Sequence, residues 1–180
     1  MIGSGRGVGT THLAVWTANY LTGVRRERVA LLEWNDHGDF ARIRQFCGKT
    51  GIAGKGFRIL EVDYYERADA SVFASCLSDT YQHIIVDYGE ITEAALCECA
   101  RCDRKVMIGS YSEWQAEAFL ESVGRERKQD KSWTIAAAFG SEETRREWEK
   151  AFHRTCLRIP TSADAFAVRG TDLKFFERLF

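Results

Sequence analysis

The amino-acid sequence predicts an α/β fold of three layers, a mostly parallel sheet flanked by helices, on three observations. Short apolar runs alternate with longer amphipathic segments along all 180 residues. The runs are continuous and rich in β-branched residues, as expected of parallel strands buried on both faces. The composition, 45% hydrophobic and 28% charged, is that of a globular chain that needs no metal or disulfide staple. Alternating strand and helix implies right-handed crossovers, with ligands bound beyond the carboxyl ends of the strands.

The elements follow in order. Only Met1 and Ile2 precede the first glycine-rich loop, where a central strand of about five apolar residues is expected. The first strand is therefore predicted to be truncated, and the expectation is that the natural start lies upstream, because an empty lane would leave neighbouring backbone groups unpaired. Helices are predicted over 11–23, 40–46, 68–78, 92–101, 112–123, 141–152 and 171–179. Strands are predicted over 28–34, 57–63, 83–87, 105–110, 133–138 and 156–159, the last stopped by Pro160. Thr92, Ser112, Ser141 and Thr171 stand where N-caps belong, Ser141 without the Glu of a full capping box. With one proline, no low-complexity linker and no internal repeat, residues 1–180 read as a single domain.

Several function classes drop out early. Twenty-five basic against 26 acidic residues leave a formal charge of −1, with no bias toward nucleic acid or acidic membranes. The densest charge run, 125–131, mixes both signs and reads as a solvated helix end. No apolar run approaches the roughly 20 residues of a membrane helix, and the amino terminus lacks a signal peptide's apolar block. Six cysteines in such a chain read as reduced thiols, and the expected location is the cytoplasm.

The most specific feature is Gly3-Ser4-Gly5-Arg6-Gly7-Val8-Gly9-Thr10-Thr11, running straight into a helix. Glycines at every second position let backbone amides turn inward, and at a helix N-terminus such amides make an anion site. Gly5, Arg6, Gly7, Val8, Gly9, Thr10 and Thr11 are the candidate phosphate-binding residues. The pattern departs from a P-loop: Gly9-Thr10-Thr11 stands where Gly-Lys-Thr should be, and Ser4 sits at the leading Gly. Val8 and Thr10 break both registers of the dinucleotide motif G-x-G-x-x-G. The competing reading is a tight strand-to-helix turn with no ligand.

Laid on K-G-G-x-G-K-[ST]-T, residues 5–12 keep Gly7, Gly9 and Thr11. On this pattern the chain resembles the MinD/ParA group of P-loop ATPases (the SIMIBI class), with a degenerate deviant Walker A motif. Gly5 stands at the signature lysine and Thr10 at the P-loop lysine. Leu31-Leu32-Glu33-Trp34-Asn35 is similar to the group's second-strand ending L-L-x-D-x-D. Tyr81-Gln82-His83-Ile84-Ile85-Val86-Asp87-Tyr88-Gly89 is similar to its Walker B segment. Ala138-Phe139-Gly140 ends a late strand where the group carries a base-reading Asn, and that Asn is missing. Order and spacing agree over 3–160.

The resemblance implies a bacterial, cytoplasmic ATP site with magnesium. Thr11 and Asp87 become the expected metal residues, and Glu33 and Asp87 the expected catalytic ones. Loss of a pre-organised cation from a transition state that gathers negative charge costs on the order of 10² to 10⁴ in rate. Three functions stay open. The first is a nucleotide-binding regulatory or positioning module with weak or no hydrolysis, associated with protein partners such as pilus or secretion machinery, TadZ-like proteins among them, and with a homodimer. The second is a slow ATPase that uses Arg6 in place of the lysines. The third is a ligand-free interaction domain.

Other clusters read as structural. Cys97 and Cys99 lie about 200° apart on a helix, so with Cys102 they do not face one metal and are expected as buried packing thiols. Cys47, Cys76 and Cys156 are isolated. His12, His37, His83 and His153 form no metal pattern, and His83 is expected as a satisfied strand histidine. Gly109-Ser110-Tyr111-Ser112-Glu113 lacks the closing Gly of a hydrolase elbow. Asp36-His37-Gly38-Asp39 is either a switch loop or a turn into the next helix. Trp114, Phe119, Trp133, Trp148 and Phe152 fall at core spacings. The tail 175–180 either docks on its own sheet or meets a partner.

Overall fold

A computed structural model describes residues 1–47, 50–52, 56–126 and 132–180. Its strands are β1 (Ile2–Gly3), β2 (Val29–Glu33), β3 (Thr50–Gly51), β4 (Gly56–Ile59), β5 (Val62–Tyr65), β6 (His83–Asp87), β7 (Lys105–Ser110), β8 (Trp133–Phe139) and β9 (Cys156–Arg158). Its helices are α1 (Thr10–Gly23), α2 (Asp39–Cys47), α3 (Ala70–Ser78), α4 (Glu93–Cys99), α5 (Ala116–Glu126), α6 (Glu142–Phe152) and α7 (Leu173–Leu179). The α/β alternation and mostly parallel pairing are those the sequence implies. Residues 127–131 of the mixed charge run lie outside the described residues. The chain forms two compact units.

The first unit comprises Met1–Thr10, Glu90–Ser162 and Thr171–Phe180. Its sheet, in the order β1-β7-β8-β9, is wholly parallel. The two-residue β1 pairs Ile2 with Met107 and Gly3 with Ile108, and Gly3 also bridges to Glu90. The core grows from apolar residues buried on β7 and β8, closed by an aromatic cluster. Phe119 stacks on Trp148 at 5.7 Å, Tyr111 meets Phe119 edge-on at 5.3 Å, and Phe152 stacks on Trp148 at 4.9 Å. Gly109 lets Phe119 approach, since a Cβ there would stand 2.0 Å from the ring. The tail settles its open alternative within this unit: α7 packs against β9 and buries Phe175, Phe176 and Leu179.

Capping explains where the helices begin. Thr92 and Ser141 accept from the amides of Ala95 and Thr144, as expected of N-caps. Ser112 and Thr171 do not cap. The Ser112 hydroxyl bonds Ser110 at 2.6 Å and α5 starts only at Ala116, while α7 follows a short 3₁₀ turn, Gly170–Asp172. Trp114 corrects a core expectation, because its ring is 82% exposed in the turn before α5. Among the thiols, Cys99 is buried but Cys97 is exposed, so the three do not form one packing face.

The second unit comprises Thr11–Gly89 and Ala163–Gly170. Its sheet runs β3-β4-β5-β2-β6, with β2 parallel to both β5 and β6. The predicted strand 57–63 is instead two strands: β4 and β5 form an antiparallel hairpin pairing Ile59 with Val62. Leu60 turns the chain at φ 51°, a conformation that favours Gly or Asn, so residue type gave no turn signal. Phe57 stacks on Tyr64, Phe40 meets Tyr64 edge-on, and Trp16 on α1 donates to the carbonyl of Ala167. His83 bonds Glu27 at 2.8 Å, the satisfied strand histidine expected.

Candidate functional site

Within the first unit the glycine-rich loop leaves β1 with its backbone anchored. The Ser4 amide donates to Ile108, and Gln115 Nε2 donates to the carbonyl of Arg6 at 2.9 Å. Gln115 is itself oriented by the Ser112 hydroxyl at 3.2 Å. Gly7 and Gly9 sit at φ 71° and 94°, where L side chains are strained. Val8 and Thr10 turn their side chains the other way. Both are buried against Gly3, where a Cβ would stand 2.3 Å from Thr10 Oγ1.

The outward side of the loop is open. A Cβ built on Gly5, Gly7 or Gly9 meets nothing within 4 Å. Among the described residues, no protein acceptor meets the main-chain NH groups of Arg6, Gly7 or Gly9. Such a row of unpaired donors is the cradle an oxyanion takes up. The Arg6 guanidinium does not fill the lysine's place: its side chain is 83% exposed and its Nε lies 3.4 Å from Glu90. The loop's backbone donors fit the phosphate groups of a nucleotide, and its own arginine is turned to Glu90.

Beside the loop, Gly7 also lines a groove of about 430 Å³ with Ser112, Glu113, Trp114, Gln115, Phe139 and Gly140. Phe139 is 51% exposed. The carbonyl of Gly140, three residues beyond β8's buried stretch, accepts from Arg158 at 2.6 Å.

The second unit holds the acidic residues. Thr11 Oγ1 donates to Asp87 Oδ2 at 2.7 Å and lies 3.5 Å from Asp39 Oδ2. Asp87 Oδ1 accepts from the Gly89 amide, and burial pushes its carboxyl up while Thr11 and Gly89 oppose that rise. In register, Glu33 and Asp87 end adjacent strands. Glu33 nevertheless serves α2: its Oε1 accepts from the Phe40 amide at 3.1 Å, and its Oε2 is buried with no partner among the described residues. Burial raises the Glu33 carboxyl, opposed by the backbone amides near it. Asn35, at the second acidic position, ties strand ends by donating to the Asp87 carbonyl. Asp36 to Asp39 form a turn into α2, where Arg42 pairs with Asp39. Thr11 and Asp87 together offer a hydroxyl and a carboxylate suited to magnesium.

Sequence reasoning singled out Thr11, Asp87, Glu33 and the loop as candidates. It missed Glu90, which engages Arg6, as well as Gln115 and the exposure of Trp114 and Phe139 in one groove. A partner for an arginine has no sequence signature, and Trp114 sat at a spacing that reads as core. Among the described residues no cluster of three or more His, Cys, Asp or Glu can hold a metal. No helix there is long and apolar enough to cross a membrane.

Strands that pair mostly in parallel and are flanked by helices define the class: the fold is that of the ParA and MinD P-loop ATPases. No family model matches the sequence. No curated protein matches it either. The likeness is carried by solved structures. A ParA family ATPase from Chlorobium tepidum TLS is 15% identical with a TM-score of 0.66, covering 99% of this chain and 88% of its own. A plasmid partition protein from Borrelia burgdorferi B31, solved bound to AMPPNP, is 12% identical with a TM-score of 0.67, covering 99% and 93%. MinD from Aquifex aeolicus, solved in complex with MinC, is 12% identical with a TM-score of 0.65, covering 98% and 84%. At such identities the likeness is one of fold.

Proposed function

We propose that this chain is a nucleotide-binding positioning module that holds ATP with magnesium and hydrolyses it weakly or not at all. One observation carries the reading: among the described residues the amides of Arg6, Gly7 and Gly9 have no protein acceptor, a Cβ on Gly5, Gly7 or Gly9 meets nothing within 4 Å, and the Arg6 side chain turns to Glu90. Gly5 to Thr11 contact the phosphates, with backbone donors supplying the contacts that survive the loss of both lysines. Thr11 and Asp87 hold the magnesium ion, which when bound neutralises phosphate charge. Asp87 also orients Thr11 through their hydrogen bond. Glu33, one of the two expected catalytic residues, has its Oε1 engaged by the amide of Phe40, and this supports slow or absent turnover. The output is association: a second copy of this chain and a partner protein, in the manner of the MinD–MinC complex. Such a partner belongs to pilus or secretion machinery of a bacterial cytoplasm, a reading supported only by the resemblance of the sequence to TadZ-like proteins.

The test is thermal. Magnesium-ATP should raise the melting temperature by several degrees, because a ligand held only by the folded state stabilises it by mass action. Phosphate release should stay near background. No shift with any purine triphosphate at millimolar concentration would leave a ligand-free interaction domain instead.

A second reading is favoured by one fact, the weakness of the Arg6–Glu90 pair. It is exposed and 3.4 Å long, and such pairs contribute about 0–1 kcal/mol, so Arg6 is held away from the loop by little. In that case the chain is a slow ATPase with Arg6 as its cation. Phosphate release that vanishes on Arg6→Ala would establish it.

A further inference from the structure

The groove beside the loop joins two chemistries within one unit. Gly7 lines it at φ 71°, with nothing within 4 Å of where a Cβ would stand and no protein acceptor for its amide among the described residues. Elsewhere along the groove stand Trp114, 82% exposed, and Phe139, 51% exposed, two large rings that nothing in the fold requires at the surface. Anion donors next to exposed aromatic faces match a molecule that is phosphate at one end and a flat ring at the other. Resting on the nucleotide reading above, we infer that the base is held by stacking on Trp114 and Phe139 and is not read by hydrogen bonds.

The end of β8 supports the second half of that statement. Gly140 occupies φ 104°, and a Cβ there would stand 2.3 Å from Tyr111 Cβ, so packing leaves no room for a side chain. Its carbonyl already accepts from Arg158, and the Phe139 carbonyl accepts from the Tyr111 amide. A hydrogen-bonding side chain at Gly140 is therefore sterically barred, and the two carbonyls nearest it are engaged. Stacking is indifferent to base identity, because every base presents a π-face. The site accepts ATP and GTP alike.

Calorimetry on the full chain tests this with magnesium present, using ATP, GTP and inorganic tripolyphosphate as probes. ATP and GTP should bind within about threefold of each other, and Trp114→Ala should weaken both by about tenfold. Trp114→Phe should keep most of the affinity, and neither change should alter tripolyphosphate binding. Trp114 is exposed, so its removal leaves the core intact. Unchanged nucleotide affinity in Trp114→Ala, or ATP strongly preferred over GTP, overturns the stacking inference. So does a loss of self-association in Trp114→Ala by sedimentation with nucleotide affinity unchanged, which would make a second copy the occupant. If nucleotides bind in a Trp114-dependent way but tripolyphosphate gives no heat, the stacking stands and the phosphate-loop reading falls. If no probe binds, both fall.

Discussion

The two compact units treat their polar groups in opposite ways. In the first, the loop after β1 leaves the amides of Arg6, Gly7 and Gly9 without acceptors among the described residues, and Trp114 and Phe139 are exposed. In the second, the carboxylates near Thr11 are drawn inward: Asp87 is bonded to Thr11 and Gly89, and Glu33 to the start of α2. One set of groups is open to a ligand. The other is largely satisfied by the chain itself. A binding surface needs unpaired donors at its rim, where water substitutes until a ligand arrives. Buried carboxylates have no such substitute, so the fold must supply their partners.

That contrast can be broken or sharpened by substitution. Trp148→Ala should cost about 3–5 kcal/mol of stability in urea titration, because Phe119, Tyr111 and Phe152 all lean on its ring. A small loss would mean that the first unit's core, and not only its loop, is loosely built. Thr11→Val should cost about 1–3 kcal/mol without any ligand, since it strips the buried Asp87 of a donor, while Thr11→Ser should cost far less. Equal stability of Thr11→Val and the parent would show the second unit's cluster to be as open as the loop.

Gly7→Ala should cost about 1–2 kcal/mol, the penalty of a left-handed L residue, and should weaken tripolyphosphate binding more than it weakens folding. The gentlest effect is on pH. The Glu33 carboxyl is raised above its ordinary 4.5, so the folded chain keeps a proton that the unfolded chain has already lost. Its contribution is full below 4.5 and is lost as pH rises through the higher folded value. Thermal midpoints should therefore fall over that window, and Glu33→Gln should flatten the slope. An unchanged slope would assign the dependence to Asp87, whose carboxyl is raised for the same reason.

Much of this was legible before any coordinates. Continuous apolar runs announce strands covered on both faces, and β2, β6, β7, β8 and β9 lie where those runs lie. The failures have particular causes. Residues 57–63 carry no turn residue, yet Leu60 accepts φ 51° because the pairing of β4 with β5 holds it there. Ser112 was a fair cap by type, but its hydroxyl is taken by Ser110, and α5 starts a turn later.

The sequence alone determined the alternation of elements, the glycine loop with its missing lysines, and the placing of Thr11, Glu33 and Asp87 at strand and helix ends. These are local matters: periodicity, backbone freedom and residue chemistry act over a few neighbours. Only the tertiary structure decided that Arg6 turns to Glu90, that Glu33 bonds the start of α2, and that Trp114 shares a groove with Gly7 and Phe139. Those outcomes depend on which distant groups arrive within hydrogen-bonding or van der Waals reach, and folding settles that by burying apolar surface while satisfying the polar groups carried in with it.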